Sequence, residues 1–421
     1  MKNIVVLGAG FAGLRTAIKL EKKLKNHDGY RVVLVDKNSY HTYMPSLQEV
    51  ATAHKGEKIK FADELQFESE LANSVCFSIS GIIKNKKIDF IKDEVIGINT
   101  DTRSVILATD QALEYEHCVL AFGSDAAHYD VEGAGTCCTS LKTVHDALRV
   151  RFAVETAMKK ASEEDKKELR FITIGAGLTG FEVTAEMAKW MSHLKKKFGG
   201  TEELKINIRL LDAKDKILSE VPDKMRKLSE RRLKHLGIDV MTSTKITKVE
   251  PHRVTLVGGR TLPADIIIWG GGVKGLGLFG KISGISLDKT GRVKTDEFLR
   301  AMGQENLFVA GDSAYVLDKK LNRPVPATAW AAEQQADSVA GNVLNSVANE
   351  QLKEYVPKYP GFVSSAGGKY GVAHIYGITF AGFAAWAVKR MIDLKYILSL
   401  YPVFRGLGIW LGELRLFTKN D

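Results

Sequence analysis

The chain has 421 residues, with 60 Lys and Arg against 50 Asp and Glu for a formal charge of +10, and it carries 38 Gly, 9 Pro and 45% apolar residues. At about 150 residues per domain this predicts two or three domains with sizeable cores, and the composition excludes a disordered tail, a collagen-like repeat and a disulfide scaffold. The positive charge admits nucleotides, nucleic acid or a phospholipid surface as partners, so where it lies matters more than its sum.

From Met1 and Lys2 the chain runs directly into Ile4–Leu7, a short β-branched strand. No export signal is therefore expected, and a cytoplasmic location is, with a processed organellar protein left open. Helical spacing follows over Ala12–Lys25 and a second strand over Arg31–Val35. Between strand and helix stands Gly8-Ala9-Gly10-Phe11-Ala12-Gly13. The first Gly permits the tight turn, the second lets the backbone approach a pyrophosphate, and the third lets helix and strand pack closely. Asp36 closes the next strand, where a carboxylate accepts from a ribose hydroxyl.

The same order recurs about 165 residues downstream, which predicts a second unit of the same kind. Val154–Arg170, rich in Lys and Glu, reads as a solvated helix leading into it. Phe171–Ile174 is then a strand, Gly175-Ala176-Gly177-Leu178-Thr179-Gly180 the turn, Leu178–Met191 a helix and Ile206–Leu211 a strand ending at Asp212. An acid there favours the free 2′-hydroxyl of NAD(H) over the 2′-phosphate of NADP(H), with Lys214 and Lys216 weakening the preference. Ser192–Lys205, with Lys195, Lys196, Lys197 and Gly199–Gly200, reads as an exposed basic loop. Two complete units imply two dinucleotides, and alternating strands and helices imply an α/β fold with parallel sheets.

Three further strands end in small residues: Cys118–Ser124 with Gly123, Ile266–Gly272 with Gly272, and Asn306–Asp312 with Gly311 and Asp312. Gly at such ends allows close backbone approach. From Gly361 onward aromatic residues and Gly rise and acids fall. At helical period Lys389, Arg390 and Asp393 share one face of Phe383–Leu394, and Tyr396, Tyr401, Phe404 and Trp410 follow among basic residues. Two readings are open: a segment lying on a bilayer surface, or an amphipathic helix packed on the protein's own core or on a second subunit. Beyond Ala385 the tail holds Lys389, Arg390, Lys395, Arg405, Arg415 and Lys419 against Asp393, Glu413 and Asp421, a pattern suited to phospholipid headgroups. No apolar run is long enough to span a membrane, no nucleic-acid module is recognisable, and no metal is expected. The four cysteines, Cys76, Cys118, Cys137 and Cys138, form no CxxC and read as ordinary thiols.

On these residues the sequence resembles the two-dinucleotide-binding flavoproteins across nearly its whole length. Within them it is most similar to the type II, non-proton-pumping NADH:quinone oxidoreductases. The similarity is carried by Gly175–Glu182, Asn322-Arg323-Pro324-Val325-Pro326-Ala327-Thr328-Ala329, Trp269–Gly275 and Lys389–Tyr396. The resemblance implies two Rossmann-like domains, FAD and NAD, plus a C-terminal amphipathic membrane-associating segment. The implied boundaries are 1–115 and 281–360 for FAD, 116–280 for NAD(H) and 361–421 for the membrane-surface or dimer segment.

The resemblance further implies non-covalent FAD at Gly8, Gly10, Gly13, Asp36, Gly123, Gly311, Asp312 and Ala329, with Asp312 accepting from the ribityl chain. NADH is implied at Gly175, Gly177, Gly180, Asp212 and Gly272, with Glu182 near the nicotinamide. Glu182 as a first-turn acid favouring the helix dipole remains the alternative. A hydride would pass from NADH to FAD and two electrons on to a membrane quinone, menaquinone or ubiquinone. The expected enzyme is a homodimer, peripheral on the cytoplasmic face of the cell membrane.

The acceptor side departs from the family. Two glutamines are expected four residues apart after Thr-Ala; Trp330 and Gln334 stand there, and Leu411–Arg415 lacks the tail lysine. Trp330 and Gln334 are the candidates for a quinone floor, an aromatic face and an amide, with Trp330 as simple packing the alternative. The rival functions are a sulfide:quinone reductase, disfavoured because no cysteine follows Cys138, a reductase of a soluble redox protein, and a flavin-bound interaction protein.

Overall fold

A computed structural model describes residues 1–24, 29–53, 61–198, 201 and 203–418. The chain divides into two compact units: Met1–Thr42, Phe77–Asp125 and Val273–Tyr359 form the first, and Tyr43–Cys76, Ala126–Gly272 and Pro360–Asp421 the second.

In the first unit five parallel strands lie in the order Leu307–Val309, His117–Leu120, Lys2–Leu7, Tyr30–Asp36, Ile88–Lys92. Ile4 pairs with Val32 on one side and His117 on the other. Ile4 to Leu7 are wholly buried, as the uninterrupted apolar run of a central parallel strand requires. The helices Phe11–Lys23 and Ala329–Val347 pack together and are pinned by Arg15, whose guanidinium donates to both oxygens of Asp337 at 2.6 and 2.9 Å. Sequence reading extended the first helix to Lys25, which lies outside the described residues.

The second unit repeats the plan. Its parallel order is Thr139–Ser140, Ile266–Trp269, Glu168–Ile174, Lys205–Leu211, Asp239–Met241. A three-stranded antiparallel sheet, Gly361–Ser365, Gly371–Ile375 and Ile378–Gly382, then leads into two tail helices, Phe383–Leu400 and Val403–Phe417.

Several expectations need correction. The units exchange chain at Asp125–Ala126 and Gly272–Val273, not at 115/116 and 280/281. His117–Leu120 is still a strand of the first sheet, which moves the first crossing downstream. The segment Tyr43–Cys76 belongs to the second unit because its helix Leu47–Thr52 packs on the helices Val144–Glu163 and Leu178–Lys197. The tail is not a separate segment; it is part of the second unit. Lys195, Lys196 and Lys197 are the last turn of a helix and not a loop, since Leu194 is buried on the same helix and Lys197 reaches Glu155 at 3.3 Å. Gly199 and Gly200 lie outside the described residues. The stretch 154–170 is not one solvated helix. The helix ends at Glu163, and Val154, Met158 and Ala161 face the core at a helical period that the Lys/Glu composition conceals.

The largest correction concerns the tail. Lys389, Arg390 and Asp393 are only 5%, 3% and 2% exposed, whereas Phe383, Met391 and Phe404 are 63%, 56% and 92% exposed. The helix Phe383–Leu400 turns its charged face inward and apolar side chains outward. Lys389 and Arg390 therefore cannot be the headgroup ligands that their placement in sequence suggested. Lys419 and Asp421 lie outside the described residues.

Candidate functional site

Each unit carries a glycine turn at the carboxyl end of its central strand, Lys2–Leu7 in the first and Glu168–Ile174 in the second, where a helix begins. In the first, Gly8 holds φ +98°, and a side chain there would drive its Cβ to 2.4 Å from the Ala121 carbonyl oxygen. A Cβ on Gly13 would meet the Gly8 carbonyl oxygen at 1.8 Å, so the helix can approach the turn only without one. Gly10, in contrast, faces open space. The second turn reproduces this: Gly175 at φ +97° lies against Gly270, a Cβ on Gly180 would meet the Gly175 carbonyl oxygen at 1.8 Å, and Gly177 is open. Both turns thus leave their middle glycine free for a close-lying group while locking the flanking two.

The acids at the strand ends do more than their position suggests. Asp36 accepts the Ala9 N–H at 2.6 Å through Oδ2 and the Asn38 N–H at 2.7 Å through Oδ1. Asp212 accepts the Ala176 N–H at 2.6 Å and the Lys214 N–H at 2.8 Å in the same way. Each carboxylate braces its own glycine turn and keeps further lone pairs for a ribose hydroxyl. Lys214 directs its ammonium to Ser219 Oγ at 2.8 Å.

Around the first turn, Asp312 accepts from Ser124 Oγ at 2.8 Å through one oxygen, Ser313 Oγ donates to the Gly123 carbonyl at 3.1 Å, and Gly311 lies against Ala12. Ala329 opens its helix behind Thr328, whose Oγ1 accepts the Ala331 N–H at 3.2 Å. Two residues here escaped the sequence reading. Buried Gln335 accepts the Gly311 N–H at 2.7 Å; its signal was the buried stripe Ala331, Ala332, Gln335, Ala336, Val339 at helical period. Buried His41 is bonded through Nδ1 to the Ala9 carbonyl at 2.9 Å and meets the Phe11 ring edge-on at 5.0 Å. Burial lowers its pKa to about 4, so the imidazole is neutral and donates through Nδ1. No spacing in the sequence distinguished His41 from any other core histidine.

Trp330 and Gln334 stand one turn apart on the same helix as Gln335. Trp330 Nε1 donates to the Lys358 carbonyl at 3.3 Å, Gln334 Nε2 donates to the same oxygen at 2.9 Å, and Gln334 Oε1 accepts the Lys358 N–H at 3.0 Å. Both ends of the Gln334 amide thus hold the Lys358 backbone. Trp330 is 42% exposed.

In the second unit Glu182 lies beyond the first turn of its helix, which contains no acid, so the dipole alternative fails. Its Oε1 accepts from Ser364 Oγ and the Ser365 N–H, each at 3.0 Å, and burial pushes the carboxyl up against the opposing effect of Lys389. Gly272, at φ +105°, closes the strand Ile266–Trp269 beside Tyr129. Burial raises the Cys138 thiol to about 12, which leaves it unreactive. Among the described residues no cluster could hold a metal ion.

The family described as pyridine nucleotide-disulphide oxidoreductase matches residues 2–336. The chain is 28% identical over 407 residues to type II NADH:quinone oxidoreductases of Staphylococcus aureus and Staphylococcus saprophyticus, covering 95% of this chain and 96% of theirs. Its fold is similar to that of NDH2 from Plasmodium falciparum solved with NADH, at TM-score 0.82, 17% identity and 99% coverage of both chains. It is also similar to the sulfide:quinone oxidoreductase of Aquifex aeolicus, at TM-score 0.75, 19% identity and coverage of 96% and 92%.

Proposed function

Since the chain belongs to the pyridine nucleotide-disulphide oxidoreductases, we propose that it is a type II NADH:quinone oxidoreductase, an FAD-dependent NADH dehydrogenase that does not pump protons. The observation that carries this reading is the duplicated acid-braced glycine turn, one per unit, in a chain that matches enzymes so named over 95% of its length.

The first unit fits FAD. Gly10 offers open space at a helix N-terminus, and Asp312 has one oxygen that takes no protein donor among the described residues. When bound, FAD supplies hydride acceptance and two-electron return, which no side chain can provide. Gly8, Gly10, Gly13, Asp36, Gly123, Gly311, Asp312 and Ala329 would hold it, with Gln335 and His41 fixing the backbone they line. Gly175, Gly177, Gly180, Asp212 and Gly272 would hold NADH, and Glu182 would orient its nicotinamide. The Asp212 charge disfavours a 2′-phosphate.

The acceptor is a membrane quinone, menaquinone or ubiquinone, with the exposed Trp330 ring as an aromatic wall and Gln334 fixing that wall through Lys358. The enzyme lies on the cytoplasmic face of the membrane as a peripheral protein. Outward-facing Phe383, Met391, Ile392, Val403, Phe404 and Leu411 support lipid contact, and a homodimer would use the remainder of that face. Among the described residues no helix is long and apolar enough to cross a membrane.

The purified protein is expected to carry FAD and to consume NADH at least about tenfold faster than NADPH, a difference of about 1.4 kcal/mol. A protein without flavin absorbance, or one using both nucleotides equally, would contradict the assignment.

A further inference from the structure

Glu182 is tied down through one carboxylate oxygen only, and by a strand from the far end of the chain. Oε1 accepts from Ser364 Oγ and from the Ser365 N–H, each at 3.0 Å, with Ser365 Oγ at the outer limit of 3.5 Å. Among the described residues no protein donor reaches Oε2, and Glu182 itself is half-buried. Both donors belong to the strand Gly361–Ser365, the edge of its three-stranded sheet, which packs on the helix Leu178–Lys197. An edge strand presents N–H groups that must find partners outside the sheet, and Glu182 takes the one of Ser365.

The Ser365 donor is main chain and does not depend on which side chain stands there. The Ser364 donor does. Its hydroxyl is wholly buried and has one proton, with Glu182 Oε1 at 3.0 Å and the Ser365 carbonyl at 3.2 Å as the acceptors in reach. The carboxylate is the nearer and the charged one, so it takes the proton of that bond. Ser365 Oγ is less committed, because Gln48 Nε2 also lies 3.5 Å from it. Opposing influences act on the Glu182 carboxyl. Burial and Glu49 favour its neutral form, whereas Lys389, the Ser365 N–H and the Ser364 hydroxyl favour the carboxylate. Glu186, one turn along the same helix, is occupied by the Gly368 N–H at 3.1 Å.

We propose that Ser364 is a positioning residue for NADH: it holds Glu182 with Oε1 occupied and Oε2 presented to the nicotinamide. The N–H donors of a nicotinamide are those of its carboxamide, and a carboxylate oxygen without a protein donor is the acceptor they require. Two donors on Oε1 fix the carboxyl in one orientation. With the Ser365 N–H alone it swings about the remaining bond and has to be ordered again each time NADH binds, which costs affinity. The proposal rests on the NADH reading and on Glu182 as the neighbour of the nicotinamide, and it adds the group that orients that carboxylate.

The test is a double-mutant cycle in the FAD-loaded protein with a soluble quinone as acceptor. Ser364→Ala removes one atom and leaves the strand pairing intact, so flavin absorbance and the unfolding midpoint are expected to stay as in wild type. KM for NADH is expected to rise about tenfold, the weight of one charge-assisted hydrogen bond, while kcat stays within about twofold. Glu182→Ala is expected to raise KM at least as far. Adding Ser364→Ala to it should change nothing more, since no carboxyl is left to orient. A wild-type KM in Ser364→Ala would overturn the proposal. Additive losses in the double variant would overturn it too, because Ser364 would then act on the fold and not through Glu182. A wild-type KM in Glu182→Ala would instead count against the parent assignment of Glu182, and absence of NADH oxidation in the wild type against the parent reading as a whole.

Discussion

Asp36 and Asp212 show how one residue type serves turn and ligand together. Each ties down two backbone N–H groups, so replacing either by Ala leaves two donors without partners at a cost of about 1–3 kcal/mol each where they are buried. The two variants should separate cleanly. Asp36→Ala is expected to lose FAD on dialysis while keeping NADH affinity, and Asp212→Ala to retain FAD while NADH binding weakens, as flavin absorbance and nucleotide titration would report. Loss of the same ligand in both would refute the division of labour. His41 adds a pH signature. Its unfolded pKa of 6.5 falls to about 4 in the fold, so acidification through that window protonates the unfolded chain first and removes up to about 3 kcal/mol of stability. Denaturant unfolding between pH 6.5 and 4 should be flatter for His41→Gln than for wild type.

The tail helices carry the main lesson at the scale of elements. Their periodicity was legible, but periodicity gives two faces without saying which one is inside. Charged residues ordinarily face water, and here Glu49, more than three hundred residues away in sequence, supplies the counter-charge that brings Arg390 inside. Breaking such a buried pair by removing one partner costs about 3–5 kcal/mol, so truncating the tail would test folding and not membrane affinity. Point changes on the outer face are the informative ones. Phe404→Glu, at a side chain 92% exposed, should leave the unfolding midpoint unchanged and sharply reduce co-sedimentation with anionic liposomes. Unaltered co-sedimentation would remove the lipid role from this face.

For the whole molecule, the duplicated strand, turn, helix and acid were readable because local sterics fix them: only Gly fits at Gly8, Gly13, Gly175 and Gly180. The assignment of Tyr43–Cys76 and the tail to the second unit was not readable, since it depends on packing between distant segments. Gln335 and His41 hid for a related reason: each acts on backbone brought close only by the fold. The net charge of +10 also changes meaning. Its most suggestive members, Lys389 and Arg390, are internal counter-ions, and Phe383, Met391 and Phe404 are the tail side chains that face outward. The most direct measurement is the stoichiometry of NADH consumed to quinol formed by the FAD-loaded protein with menaquinone or ubiquinone analogues under anaerobic conditions. One quinol per NADH is the predicted result; NADH oxidation that yields no quinol, with electrons passing only to a soluble redox protein, would contradict the account.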